Sequence, residues 1–579
     1  MVFAAVKSVL AVVTLAAATA AAQEVKVSSF SFDGTTLSGA VNVQNLAFNK
    51  VVNVIYANNA NKWGNTCGAT YKSGPDASNK EVWSFSCPIK ADGVSQFYIE
   101  YKVNGKTYYD NNGAEGMNFQ VSKGAATGFQ ADIDEYFAKG GNALKQLLLA
   151  NVSPKVAGAL PGSVIAATAS EANNYIYHWV RDASLVMDTV TALYKKGDRS
   201  LETALWDHAA FTKKLQGLRT LEGYGEAKYK VTGEPFNDPW CRPQNDGPAL
   251  RAVTFIHFAN AYLANGGSLA RVVELYNGTS GGVIKPDLEY TTRNYNNVNN
   301  CDLWEEQRGE HFYTFAAQRR AMHEGRDFAR KLGDKGAADF YAQQAQVLDQ
   351  KIKTFWNAGA MSLQTTLNAR LLDAALPLGV VHGNVGDGLF APSDDRVLAT
   401  VFKLEEGFIG EYALNRNAKT DKAGLPLSVA LGRYYGDMYD GAENLPGRLG
   451  NPWYLCTAIV AEVAYMAAKE FVKAGSITVT PLNQRLFNGA QPAGLGLNVA
   501  AGQYGAASAE FKSIVGSLIT YGDKHIRRNK YHGAENYHFN EQFNRDTGFS
   551  QGVNDLTWSY ASMVTANLAR DELKRAMGA

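Results

Sequence analysis

Two acidic stretches stand out for the company they keep. In "DLWEEQ" the adjacent carboxylates Glu305 and Glu306 follow Leu303 and Trp304, between an Asn-rich run and an apolar, aromatic segment. In "NYHFNEQFNRD" Glu541 lies among Phe539, Asn540, Gln542 and Phe543, and Trp558 opens a helical run further on. Three more stretches mix rings with charge: "NNYIYHWVRDASL" (Tyr175, Tyr177, Trp179, Arg181, Asp182), "DPWCRPQNDGPALRA" (Trp240, Arg242, Asp246) and "LGRYYGDMYDGAENLPGRLGNPWYL" (Arg433, Tyr434, Asp437, Tyr439, Trp453). Singly, each has a plain reading: Arg181–Asp182 as an ion pair or helix start, Trp240 and Trp453 as loop anchors. Five such loops in one region suggest a shared aromatic-lined cavity with acids in it.

Two carboxylates in such a cavity suit glycoside hydrolysis, in which one must be protonated to serve the leaving oxygen and the other ionised to attack or to activate water. A raised Glu pKa needs burial or a neighbouring like charge. Trp304 and Glu306 flank Glu305 and would supply both, while the amides around Glu541 would solvate an ionised form. Adjacent side chains diverge on a helix or strand, so Glu305 and Glu306 are expected to do different jobs. Other chemistries fit less well. "HEGRD" lacks the second His of a zinc-protease helix, the Gly-x-Gly stretches do not follow strands in a βαβ context, and no Gly-x-Ser-x-Gly elbow occurs.

The elements that must position these residues fall into two regions. From residue 23 to 121, short alternating segments ("KVSSFSF", "SGAVNVQ", "KVVNVIYA", "VWSFSC", "QFYIEYKV", "KTYYDN") with Asp33-Gly34 and Asn104-Gly105 turn signals predict an immunoglobulin-like β-sandwich. After a short linker (122–132), helical periodicity takes over to residue 579. Ala337, Tyr341, Ala345, Leu348, Ile352 and Phe355 mark one helix face. Further helices are expected near Ile133, Asp182, Leu201, Pro248, Phe312, Leu425, Pro452, Ala500 and Leu556, ten to thirteen in all. Periodicity alone leaves a toroid, a solenoid and an irregular bundle open.

The net charge of +1 gives no field to attract nucleic acid or an acidic membrane. Residues 1–22 read as a secretory signal peptide: Lys7, an apolar stretch over Ser8–Leu15 and a small-residue site at Ala20-Ala21-Ala22. An uncleaved anchor is the alternative. Secretion favours disulfides, and Cys67 with Cys87 and Cys241 with Cys301 are plausible pairs, leaving Cys456 as a buried thiol. Asn151-Val-Ser and Asn277-Gly-Thr are candidate glycosylation sites.

The ordered motifs "HWVRDASL", "GEPF…DPWCRPQNDGPALRA", "CDLWEEQ", "GRYYGD", "GNPWYLCT" and "NEQF…DLTWSYA" resemble those of fungal glucoamylases of glycoside hydrolase family 15, from about residue 133 to the end. Residues 24–121 resemble a family 21 starch-binding module of the Rhizopus type, through "VQNLAFNKVV", "NKWGNT", "FYIEYKVNGKTYYDNN" and "FQV". The resemblance implies an (α/α)6 barrel whose loops form a dead-end pocket, exo-action on starch and maltooligosaccharides, and release of β-D-glucose by inversion. It makes Glu305 the general acid and Glu541 the general base. Arg181, Asp182 and Arg433 become sugar ligands, Tyr175, Trp179, Trp240, Glu306, Trp453 and Trp558 line the first subsites, and Leu303 and Trp304 give backbone contacts. In the module it implies one aromatic platform of Trp63, Tyr98 and Tyr109 and a second including Phe48 and Tyr71, with Phe48 where close relatives carry Tyr. A monomer is expected, without cofactor or metal. Cys241 and Cys301 and the segment "GAENLPGR" depart from the Aspergillus-type pattern; if bonded, the two cysteines would tie the Trp240 loop to the Glu305 loop. A trehalase-like hydrolase on the same toroid, and a carbohydrate-binding protein with a dead site, are the rivals.

Overall fold

The computed structural model describes residues 24–578 except 33–35, 59, 91–92, 113–117, 122–127, 169–173 and 368–369. The signal segment, the Asp33-Gly34 turn and part of the expected linker lie outside the described residues. The chain divides into two compact units, residues 1–123 and 124–579.

The first unit is built of nine strands: β1 (Val25–Phe32), β2 (Thr36–Gln44), β3 (Lys50–Ala57), β4 (Asn65–Gly68), β5 (Thr70–Ser73), β6 (Lys80–Pro88), β7 (Gln96–Val103), β8 (Lys106–Asp110) and β9 (Phe119–Gln120). They form two antiparallel sheets, β1-β2-β6-β5 and β4-β3-β7-β8, with β9 beside β7. Alternation decides what faces inward: Leu37, Val41 and Val43 of one sheet and Val52, Val54, Phe97, Ile99 and Tyr101 of the other are buried together. The Cys67–Cys87 disulfide links β4 to β6 and so joins the sheets. Asn104 and Gly105 both have positive φ, 51° and 70°, as the two-residue turn between β7 and β8 requires.

The second unit is helical: α1 (Ala131–Ala150), α2 (Val180–Lys195), α3 (Glu202–Gln216), α4 (Asp246–Ala264), α5 (Leu269–Asn277), α6 (Ile284–Asn294), α7 (Phe312–Lys331), α8 (Lys335–Lys353), α9 (Ala375–His382), α10 (Asp395–Glu411), α11 (Ala413–Asn417), α12 (Tyr454–Ala474), α13 (Gln484–Asn488), α14 (Ala509–His532) and α15 (Thr557–Met577). Helices α2, α4, α7, α9, α12 and α15 touch in sequence order, and α15 returns to pack on α2, closing a ring. Helices α3, α6, α8, α10, α14 and α1 alternate with them along the chain as an outer layer. This is a six-by-six barrel of helices. The inner position explains why α4, α9 and α12 are apolar nearly all round rather than striped.

Two expected helices are corrected. No helix starts near Leu425: residues 425–431 form no helix or strand although Leu427, Val429, Ala430 and Leu431 are buried. Side chains, not helical carbonyls, satisfy this backbone. Asn415 donates to the Ala430 carbonyl (3.0 Å) and accepts from its N–H (2.7 Å), and Arg528 donates to Ser428 O (2.8 Å). Near Ala500 a short strand, Gly502–Gly505, comes first and the helix starts at Ala509 behind a Ser508 cap. One glycosylation candidate also fails in the folded chain. Asn151 is buried, and its amide donates to Asp555 O (2.9 Å) and Thr557 Oγ1 (2.8 Å), whereas Asn277 is exposed at the end of α5.

Candidate active site

Each of the six inner helices is entered through a segment that carries candidate residues. Trp179 caps α2, with Arg181 and Asp182 in its first turn. Trp240 and Gln244 precede α4, the Glu305 turn precedes α7, Arg370 and Asp373 precede α9, Arg433 through Trp453 precede α12, and Glu541 precedes α15. A two-stranded ribbon, β10 (Tyr177–Trp179) with β11 (Lys228–Lys230), frames the first of these.

"DLWEEQ" folds as a tight turn. Asp302 Oδ1 accepts from the N–H groups of Glu306 (2.8 Å) and Gln307 (2.9 Å), and Glu305 N–H donates to Asp302 O (3.0 Å). Glu305 adopts φ of 65°, the left-handed conformation uncommon for a residue with a side chain. That conformation separates the two carboxylates. Glu305 Oε1 accepts from Trp179 Nε1 (2.8 Å) and Gln244 Nε2 (2.8 Å), with Arg181 3.8 Å away. Glu306 turns to another set of donors: Arg433 (2.7 Å), Tyr434 Oη (2.6 Å), Asn444 Nδ2 (2.9 Å) and Arg370 (3.4 Å). The expectation that Trp304 and Glu306 together tune Glu305 is therefore corrected. Trp304 Nε1 donates to Asp373 (2.9 Å), and the Glu306 charge is met by two guanidinium groups. The partners of Glu305 come from α2 and the Trp240 loop instead.

The acid turn is stitched to that loop. Cys241 and Cys301 form a disulfide, Cys301 N–H donates to Pro243 O (2.9 Å), and Asn245 N–H donates to Asn300 Oδ1 (2.7 Å). Arg181 Nη1 donates to Gln244 Oε1 (2.9 Å) and Asp246 Oδ2 (3.1 Å), so one arginine aligns the amide that holds Glu305. Burial raises Asp182 to about 6 even with Arg181 beside it.

Glu541 is fully buried. Tyr175 Oη donates to its Oε1 (3.0 Å) and Gln542 Nε2 to its Oε2 (3.3 Å), and Tyr439 also bonds the carboxyl and meets Tyr175 Oη at 2.9 Å. Asn540, expected beside the carboxyl, turns to Asn554. The solvating groups are thus chiefly phenols from distant loops. Burial pushes the carboxyl up to about 8 against the opposing pull of Tyr175, Arg433 and Tyr439. A Cβ at Gly552 would lie 2.9 Å from Glu541 Oε2, so this glycine, with φ of 74°, leaves room for the carboxylate. The Tyr175 and Trp179 rings are 5.6 Å apart, which makes one aromatic wall with Glu541 bonded to one ring and Glu305 to the other.

Arg433 is buried, bonded twice to Asp437 (2.9 and 2.7 Å) and surrounded by Trp304, Tyr434, Tyr439 and Trp453. Leu303, Trp453 and Trp558 are buried, and Trp240 is partly exposed. Sequence reasoning did not single out Gln244, Arg370, Asp373, Asn444 or Lys228. No local pattern marks them, because each acts through a contact tens of residues away. For metals, His323, Asp349 and Asp387 come within reach of one ion, but Arg319 already donates to both aspartates and fills the cationic place.

In the β unit Trp63, Tyr98 and Tyr109 form one cluster, with ring centroids 5.4 and 5.9 Å apart. Trp63 and Tyr109 are exposed. Phe48 is 97% exposed and has no ring neighbour among the described residues, while Tyr71 packs against Trp83 (6.2 Å). The structure brings the first trio together; Phe48 and Tyr71 are both exposed and make no ring contact with each other.

Residues 142–568 match glycosyl hydrolases family 15, and residues 19–122 match the carbohydrate/starch-binding module of family 21. The chain belongs to glycosyl hydrolases family 15. It is 35% identical to a glucoamylase of Blastobotrys adeninivorans over 95% of this chain and 93% of the relative, and 32% identical to glucoamylase 1 of Rhizopus oryzae over 96% and 95%. The solved glucoamylase of Saccharomycopsis fibuligera superimposes with a TM-score of 0.70 at 27% identity, over 77% of this chain and 96% of that one. This family 15 hydrolase thus carries an N-terminal starch-binding module, and its helical unit has the glucoamylase-like barrel.

Proposed function

We propose that this family 15 hydrolase removes single glucose units from the non-reducing ends of starch and maltooligosaccharides, cleaving α-1,4 bonds and, more slowly, α-1,6 bonds with inversion to β-D-glucose. The observation that carries the reading is the shared wall: Glu305 and Glu541, from loops far apart in sequence, are bonded to the adjacent rings of Trp179 and Tyr175. Relatives over nearly the whole chain are glucoamylases.

In this reading Glu305 gives its proton to the glycosidic oxygen as the bond to the anomeric carbon breaks. Glu541 takes a proton from the water that attacks that carbon from the opposite face. A water so held donates to Glu541, and with Tyr175, Tyr439 and Gln542 it favours the ionised form the base needs. Arg181, Asp182 and Arg433 hold hydroxyls of the terminal glucose. Trp240, Trp453 and Trp558 give stacking or apolar faces, Leu303 and Trp304 give backbone contacts, and Glu306, braced by Arg433, fixes the neighbouring subsite. The trio Trp63, Tyr98 and Tyr109 binds starch, with Phe48 and Tyr71 as a separate second contact. The enzyme is secreted, as two disulfides suit, and acts as a monomer without cofactor or metal.

The test follows the anomer by NMR during hydrolysis of soluble starch, maltose and trehalose by the wild type, Glu305→Gln and Glu541→Gln. Initial β-glucose from starch and maltose, reduced at least about 100-fold in each variant, is expected. Initial α-glucose, or full activity of Glu541→Gln, overturns the assignment.

A further inference from the structure

Lys228 is a charged residue that the mechanism above does not use. It is only 3% exposed. It stands on β11 directly opposite Trp179 of β10. Its ammonium lies 3.2 Å from the Trp240 ring centroid, 4.2 Å from Trp179, 4.3 Å from Phe236 and 4.8 Å from Tyr177. No carboxylate pairs with it within 4 Å among the described residues, so four ring faces stand where an acid would ordinarily be. The charged groups that act on it are Glu305, Arg242 and Asp238. Two of the four rings belong to the site: Trp179 donates to Glu305, and Trp240 adjoins the cysteine bonded to the acid turn.

The geometry points to Lys228 as a positioning residue for the acid: its ammonium gathers Trp179 and Trp240 into one cage and so fixes the indole N–H that holds Glu305. This rests on the reading of Glu305 as general acid. Burial pulls Lys228 itself down to about 8, with Glu305 opposing, and it stays charged through the acidic range. The proposal differs from a sugar-binding lysine, since the charge is taken up by rings rather than by hydroxyls.

The experiment compares the full-length wild type, Lys228→Met and Lys228→Arg. It measures kcat and KM on maltose and maltopentaose from pH 3 to 8, with Tm as the folding control. Lys228→Met is expected to lose kcat about tenfold or more on both substrates, since a small misplacement of a catalytic group costs up to about 100-fold. KM should stay within about twofold. Lys228→Arg keeps the charge and should recover part of kcat. A rise in KM with kcat unchanged would make Lys228 a sugar ligand and overturn the proposal. Folded variants within about twofold of wild type would do the same. If Lys228→Met fails to fold, an unchanged kcat in Lys228→Arg, in which the cage must fit a planar cation, counts against it. Activity surviving in Glu305→Gln would instead remove the underlying assignment.

Discussion

Glu305 and Glu541 are both glutamates in aromatic loops, yet their surroundings differ in kind. Glu305 faces an indole N–H, an amide and a guanidinium, whereas Glu541 is buried behind two phenols. The phenols matter because burial alone opposes the charge that a base must carry. Replacing Tyr175 with Phe removes one donor to the ionised form without removing the ring. The Glu541 pKa should then rise, so the acid limb of kcat/KM should move to higher pH, with kcat lowered about tenfold, the worth of one hydrogen bond to a charged group. Stopped assays across the acidic limb check this, and an unmoved limb would count against Glu541 as base. The two candidate carboxylates could be picked out from "DLWEEQ" and "NEQF" because residue type and aromatic neighbours are written locally. That Glu305 and Glu306 have separate partners was also foreseeable, but the partners themselves were not: a left-handed turn, not helix or strand geometry, parts them.

At the scale of elements, the segment 425–431 shows why local pattern misled. Its apolar run reads as a helix face, but Asn415 and Arg528 reach into it from elsewhere and satisfy backbone groups of Ala430 and Ser428 without a helix. The segment leads directly to Arg433. Asn415→Ala would strand the Ala430 N–H and C=O and the Phe408 carbonyl in the core. At about 1–3 kcal/mol for each buried group left unpaired, the helical unit should lose about 3 kcal/mol or more. Denaturant unfolding of the variant should show it, with activity at 25 °C falling less than stability as long as the fold persists. The β unit was legible in more detail, because alternation and the Asn104-Gly105 turn act between near neighbours.

For the whole molecule, proton binding predicts how stability depends on pH. His257, on α4, pairs with Asp188 and Glu324; burial lowers it, but the two carboxylates outweigh burial and raise it to about 10. Glu462, at about 7, is raised by burial. Between pH 6.5 and 8 the unfolded chain has given up the His257 proton and the folded chain still holds it, and up to about pH 7 the same is true of Glu462, so stability falls as pH rises, by about 1 kcal/mol per pH unit for each group still holding its proton. Buried His208, His382 and His532, lowered to about 4, 3 and 3, have the opposite effect, but only below pH 6.5. Calorimetry should therefore show Tm declining from pH 6.5 to 8, and a flat or rising Tm would refute the assignment of these protons.

The sequence by itself determined the two-unit organisation, the alternating strands and the helical character of the second unit, because each depends on periodicity or on residues close in the chain; the fifteen helices among the described residues exceed the ten to thirteen expected, since short ones such as α11 and α13 leave too little period to read. Only the tertiary structure decided that the helices close into a ring, since that rests on α15 packing against α2, nearly four hundred residues earlier. The same closure brings six helix entrances together. It gives Glu305 its indole, Glu541 its phenols and Lys228 its cage of rings, none of which a one-dimensional pattern encodes, because the partners meet only once the core between them has been buried.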